Sequence, residues 1–197
     1  LGDVGSGKTI ISFISMYANF LAGYQSVLMA PTEVLARQHF DSAVSYFSKF
    51  HLTIDLLVGS MTKKEKDNVK VRLASGDIDI LIGTHAILEE NVSFYRLGLV
   101  ITDEQHRFGV KQREILKSKG DVPDALYMSA TPIPRTYALT LYGDLDVSFI
   151  RHKPGGRKEI VTKIKKYSEL KDVLMHVLEE IKAGHQVYVV ASIIDDN

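Results

Sequence analysis

Gly2-Asp3-Val4-Gly5-Ser6-Gly7-Lys8-Thr9 fits the pattern GxxxxGK(S/T), and an apolar stripe at helical spacing begins immediately behind it. The order of residues has a physical logic. Glycines let backbone N–H groups curl around phosphate oxygens, and the start of the following helix adds positive potential. Lys8 is long enough to reach β- and γ-phosphates, and Thr9 offers a hydroxyl to magnesium. The bland alternative is a flexible glycine loop, which the helical stripe argues against. All eight residues, Gly2, Asp3, Val4, Gly5, Ser6, Gly7, Lys8 and Thr9, are therefore candidate nucleotide-binding positions, with Lys8 also a catalytic candidate.

A loop of this kind joins a buried strand to a helix, and the rest of the chain repeats that alternation. Ser26–Ala30, Ile78–Ile82, Leu97–Thr102 and Ala125–Ser129 are short, nearly continuous apolar runs, as expected of strands buried on both faces. Between them lie helical stripes. Ile10, Phe13, Ile14, Tyr17, Ala18 and Leu21 keep the i, i+3, i+4 spacing up to Gly23, and Leu35, Ala36, Phe40, Ala43, Val44 and Phe47 do so behind Thr32, an N-cap residue. Thr62 followed by Glu65 predicts a capping box, and Gly76 a helix stop. Strand and helix in alternation predict an α/β fold, a parallel sheet with helices on both faces.

His152–Lys158 breaks the rhythm with Pro154-Gly155-Gly156, so we place a domain boundary there: 1–152 as one lobe, 153–197 as a linker and the start of another. The second part predicts an extended segment over Glu159–Tyr167, a helix after Ser168 (Leu170, Val173, Leu174, Val177, Leu178 and Ile181, ended by Gly184) and a buried strand over Gln186–Ile194. Some forty residues are too few for a comparable core. The second lobe is therefore expected to be incomplete, and the first to lack the strand that feeds Gly2.

Composition narrows the classes. Of 197 residues, 45% are hydrophobic and 24% charged, which argues against disorder, collagen and coiled coil. No apolar run is long enough for a membrane helix, and no leader pattern opens the chain, so we expect a cytoplasmic location. The absence of cysteine excludes disulfides and thiolate metal sites within these residues. Cations and anions balance at 24 each, and the local excess of seven cations over one anion in Arg151–Tyr167 supports a nucleic-acid partner only weakly.

A phosphate loop of this type needs an acidic partner at the carboxyl end of a nearby strand. Asp103 and Glu104 leave the run Leu99–Thr102 at that end. Asp103 is thus the candidate metal carboxylate, together with Thr9. Glu104 is the candidate that activates the attacking water. Three other segments are ordinary turns when read alone: Ala30–His39, Gly83–Leu88 and Met128–Thr136.

Taken together, GDVGSGKT, APTEVLARQH, GTHAIL, DEQH and SATPIPRT resemble motifs I, Ia, Ib, II and III of superfamily-two helicases and translocases, in order and at the right spacing. DEQHRFGVKQR, ATPIPRT and GDLDVS, with PGGRK behind them, most resemble the RecG-type branch, which remodels forks and recombination intermediates. Transcription-repair coupling translocases share much of this, but are expected to carry DEEH at motif II. The resemblance implies a RecA-like ATP-binding lobe that uses ATP and Mg2+ and has branched DNA as its partner. It also implies that Gln105, His106, Ser129 and Thr131 couple nucleotide state to DNA, and that Thr32, Arg37, Thr84 and His85 follow a phosphate backbone without reading bases. Arg37 and His85 have an equal alternative in satisfying a nearby carboxylate or helix end.

A phosphotransferase acting on a small molecule, or a nucleotide-gated interaction module, is the competing class. The former lacks a cluster of lid arginines between Lys8 and Thr136, and the latter has no need of Glu104. In the resembling family the arginine finger, worth about 10³–10⁵ in turnover, lies in the second lobe. Purified residues 1–197 are accordingly expected to hydrolyse almost no ATP with or without DNA; turnover near that of an intact helicase would overturn the reading of an incomplete second lobe.

Overall fold

Gln25–Met29 (β1) is buried at every residue, so this strand must have neighbours on both edges and helices on both faces. The computed structural model supplies both. It describes residues 1–104, 107–130, 146–150 and 160–191. The chain divides into two units, Leu1–Gly155 and Gly156–Asn197.

In the first unit, α1 (Lys8–Leu21), β1, α2 (Glu33–Tyr46), β2 (Ile54–Leu57), α3 (Lys63–Ser75), β3 (Ile80–Gly83), β4 (Leu97–Thr102), α4 (Val110–Lys117) and β5 (Asp124–Tyr127) follow in sequence. The sheet runs β2-β3-β1-β4-β5 with every pairing parallel. The expected α/β class is therefore correct. Alternation along the strands divides the core. Leu28, Ile80, Ile82, Leu99 and Ile101 face Phe13 and Met16 of α1, Ala36 and Ala43 of α2, and Phe47 at its C-cap. Val27, Met29, Leu81 and Val100 face Val69 and Leu73 of α3, Ile87, and Leu116 of α4.

Local signals behave as chemistry requires. The Thr32 hydroxyl accepts the Leu35 N–H at the start of α2. Thr62 and Glu65 form the reciprocal capping box of α3, and Gly76 ends it at φ 86°, a conformation that favours glycine. Two elements carried weak signals: β2, whose apolar pattern Asp55 interrupts, and the short helix α4. The stripe expected of α1 is only partly a core stripe. Phe13 and Met16 are buried, whereas Ile14 and Leu21 are 63% and 68% exposed, because the helix meets the sheet one position around from the apolar centre.

In the second unit the predicted helix forms as α5 (Leu170–Lys182); of the strand expected over Gln186–Ile194, the structure describes only Gln186–Ala191. Gln186–Ala191 makes no strand pairing, and Val190 is 94% exposed. A strand buried on both faces needs flanking strands to take its N–H and C=O groups, and the described residues of this unit contain none. Glu159 lies outside the described residues, and 160–166 is exposed and irregular. Among the described residues no helix is long and apolar enough to cross a membrane.

One buried polar side chain holds the lower end of the sheet. The Gln25 amide donates to the carbonyls of Leu73 and Ile78 at 3.0 and 2.7 Å. Its oxygen accepts the N–H groups of Tyr95 and Arg96 at 2.7 and 3.0 Å. It thereby fastens α3 and the segment entering β4 to β1. Replacing Gln25 by Ala should lower the unfolding free energy by about 3 kcal/mol, because four hydrogen bonds to main-chain groups, two of them buried, are lost together. Urea unfolding checks this, with a lower midpoint at an unchanged slope as the expected result.

Candidate functional site

Parallel pairing brings the carboxyl ends of all five strands to one edge, and the sequence candidates emerge there. The loop Gly2–Thr9 sits beyond β5. Gly2 donates its N–H to Ser129 O at 3.3 Å and forms a parallel bridge with Ile150. A Cβ on Gly2 would lie 2.5 Å from Ser6 Oγ, so this close approach requires glycine. Gly5 and Gly7 adopt φ 75° and 94°, which bends the loop back to the start of α1. α1 has no side-chain cap and no acid in its first turn, which leaves its first N–H groups to an external acceptor. Lys8 Nζ donates to Gly2 O and Asp3 O at 2.7 and 2.9 Å and so closes the loop on itself. Ser6 Oγ is buried in the loop with no hydrogen-bond partner among the described residues. That is a polar group awaiting an acceptor or donor.

The acid pair lies two strands in from the loop. Met128 N–H donates to Thr102 O, and Asp103 N–H to Met29 O, so the edge reads β1, Asp103, Ser129, Gly2 in order. Two interstrand spacings put the Asp103 main chain about 10 Å from Gly2, room enough for a polyphosphate. Asp103 is largely buried. Its Oδ1 accepts the Glu104 N–H at 3.0 Å and its Oδ2 lies 2.8 Å from His39 Nε2. Glu104 has φ 49°, the one described non-glycine residue in the left-handed region.

Farther along the edge, Thr32 is exposed at the cap of α2. Arg37, one turn on, donates to Glu33 Oε1 from Nε and Nη2 at 3.1 and 2.8 Å and to Ser60 Oγ at 3.3 Å. The Ser60 hydroxyl, then Arg37, hold the Glu33 carboxyl below its usual range. Arg37 thus does satisfy a carboxylate, yet half of its side chain stays in solvent. Thr84 is buried at the start of the 3₁₀ turn His85–Leu88, and the exposed His85 ring lies 5.5 Å from the Phe108 ring. Ser129 is fully buried. Gln105, His106 and Thr131 fall outside the described residues.

Sequence reasoning passed over two participants. Ser60 follows β2, whose signal was weak. His39 falls on the buried face of α2 between Ala36 and Ala43, and a histidine in an apolar stripe is itself a signal that a polar partner faces it.

The DEAD/DEAH box helicase model matches residues 1–140. The chain is 51% identical over 196 residues to the ATP-dependent DNA helicase RecG of Bacillus subtilis, covering all of this chain and 29% of that protein. It is 48% identical to that of Thermotoga maritima, covering 25% of it. The chain thus spans under a third of the length of these relatives. Among solved structures, RecG bound to a three-way DNA junction superposes with a TM-score of 0.80 at 46% identity, over 93% of this chain and 24% of that one. S. cerevisiae Dbp5 bound to RNA and ADP BeF3 shares the fold at 19% identity with a TM-score of 0.57, over 75% of this chain and 41% of that one.

The left-handed backbone at Glu104 has a measurable cost. Glu104→Gly and Glu104→Ala both remove the carboxylate, but only glycine relieves the backbone, so the glycine variant should be the more stable by about 1 kcal/mol. In thermal unfolding this corresponds to about 2–4 °C. Equal melting temperatures would show the backbone there to be unstrained.

Proposed function

Because the chain belongs to the DEAD/DEAH box helicase family, we propose that it is the ATP-binding motor lobe of a RecG-type DNA helicase, coupling ATP hydrolysis to remodelling of branched DNA in repair and recombination. The order along the sheet edge, with Gly2 bonded to Ser129 and Asp103 one strand further in, is the observation that carries this reading. On it, residues 153–197 are the linker and the beginning of the second lobe, and the protein works in the cytoplasm. The same order favours a helicase over a small-molecule phosphotransferase. It gives motif III, Ser129, a place between the phosphate loop and the acid pair.

The donor set fits the expected ligands. Amides of Gly5–Thr9 at the uncapped start of α1 and the Lys8 ammonium suit the phosphates, and the orphaned Ser6 hydroxyl lies in the same loop. Thr9 and Asp103 offer the hard oxygens that would hold magnesium, which when bound would supply charge neutralisation beside the phosphates. Lys8 exchanges its two loop carbonyls for phosphate oxygens. Glu104, turned out of the strand by its left-handed backbone, orients the attacking water and accepts its proton. Gln105, His106, Ser129 and Thr131 carry the change in nucleotide state across the edge. Thr32, Arg37, Thr84 and His85 meet the phosphates of one DNA strand, and these contacts position the lobe without selecting sequence.

The test is made on a full-length protein carrying this lobe, with ATP turnover measured with and without forked DNA. Glu104→Gln should retain nucleotide binding while turnover falls by about 10²–10⁴. Lys8→Ala should lose both. Arg37→Ala should weaken binding equally on all sequences and reduce the slope of log affinity against log salt by about 0.9. Turnover indifferent to DNA, or undiminished in the Glu104→Gln variant, would overturn the proposal.

A further inference from the structure

We infer that His39 is a positioning residue for the Asp103 carboxylate, and that through it the DNA-facing start of α2 acts on the metal-holding end of β4. The inference rests on the reading of Asp103 given above. It begins from a residue that helical spacing places in an apolar environment. His39 is 7% exposed on the face of α2 that also carries Ala36 and Ala43. An imidazole there loses its hydration and needs a partner within the protein, whereas an aliphatic side chain of similar size would fill the space with no such need.

The partner is specific. His39 Nε2 lies 2.8 Å from Asp103 Oδ2, with both side chains largely buried. An ionised carboxylate only accepts, so Nε2–H is the donor. Asp103 Oδ1 takes the Glu104 N–H at 3.0 Å. Hydrogen bonds to both oxygens, one from the next residue's main chain and one from a neighbouring helix, fix the rotation of the carboxylate about its own axis. Each oxygen keeps a lone pair for a cation or its water. Carboxylates that hold metal ions are oriented by donors of this sort, and removing such a donor costs about 10–100-fold in metal affinity.

The same histidine links two loops. Thr32 caps α2 with its hydroxyl at the exposed edge, and Arg37 lies on the outward side of the helix. His39 is seven residues beyond the cap, about 10 Å along a continuous helix. A helix does not bend over that length without a cause such as proline or an inserted group, so displacement at Thr32 is delivered at His39. Besides the main-chain bond from Asp103 N–H to Met29 O, two turns of α2 and one hydrogen bond therefore form a side-chain route from the proposed DNA phosphate contacts to the carboxylate itself.

The experiment uses a full-length protein carrying this lobe and reads the Mg2+ dependence of binding of a fluorescent ADP analogue, alongside the ratio of DNA-stimulated to basal ATP turnover at saturating Mg2+. His39→Leu keeps the packing and removes the donor. His39→Asn stays polar but is too short to reach Oδ2, and so covers failure of the leucine variant to fold. His39→Gln restores an N–H close to the position of Nε2. The Leu and Asn variants should need about tenfold more Mg2+ for half-saturation and show a reduced DNA stimulation ratio, while the Gln variant stays close to the unsubstituted protein. Asp103→Asn serves as the reference. If it shifts the Mg2+ midpoint while folded Leu or Asn variants do not, or if Gln rescues nothing, His39 is only structural and the inference falls. If Asp103→Asn itself leaves the midpoint in place, the assignment of the metal carboxylate falls instead.

Discussion

Parallel strand pairing is the constraint on which the rest of this structure depends. In an antiparallel sheet, strand ends alternate between edges, and residues that follow successive strands are scattered. Here Met29, Leu57, Gly83, Thr102 and Tyr127 all end on the same side, so the corners behind five strands become neighbours without any of them being close in sequence. The order β2-β3-β1-β4-β5 then sorts the corners: those after β1, β2 and β3 lie to one side of Asp103, and those after β5 and around Gly2 to the other. The proposed phosphate-binding loop and the proposed DNA-facing residues are thereby separated along one edge, with the acid pair between them.

The two ends of the sheet differ in how their polar groups are treated. At the lower end Gln25 uses all the donors and acceptors of its amide on main-chain groups. At the upper end, Ser6 Oγ and Thr102 Oγ1 are buried without a partner among the described residues, Glu104 is held in a left-handed conformation, and the Lys8 ammonium is occupied by carbonyls of its own loop. The two buried hydroxyls and the left-handed backbone at Glu104 each cost stability.

Much of this was legible in the sequence because it depends on local rules. The glycine-rich loop Gly2–Thr9 is a contiguous string, the caps at Thr32 and Thr62 depend on residues three positions away, and Ser26–Ala30 and Leu97–Thr102 are apolar enough to show burial on both faces. What escaped depends on tertiary context. β2 contains Asp55, whose carboxylate is paired with Arg72 of α3 at 2.6 Å; without that pairing an acid in a strand argues against burial. Gln186–Ala191, the described part of the strand expected over Gln186–Ile194, is unpaired for the opposite reason. Its composition suits a sheet interior, but a strand is defined by its neighbours, and sequence pattern alone does not provide them. The apolar side of α1 misled in the same manner: spacing identifies a stripe, not the surface that covers it.

His39 shows where the boundary between these cases falls. Its position in the apolar face of α2 is readable from spacing, and so is the need for a buried hydrogen-bond partner. The identity of that partner is not, since Asp103 lies sixty-four residues away and meets it only because β4 pairs directly with β1, against whose following helix it emerges. A conflict between helical periodicity and polarity therefore locates a buried polar contact from one side only. The other side comes from topology, and in a parallel sheet topology narrows the choice sharply: a histidine two turns into the helix after one strand can reach only the corners that flank it. On this edge the flanking corner that carries a carboxylate beside the phosphate loop is the one after β4.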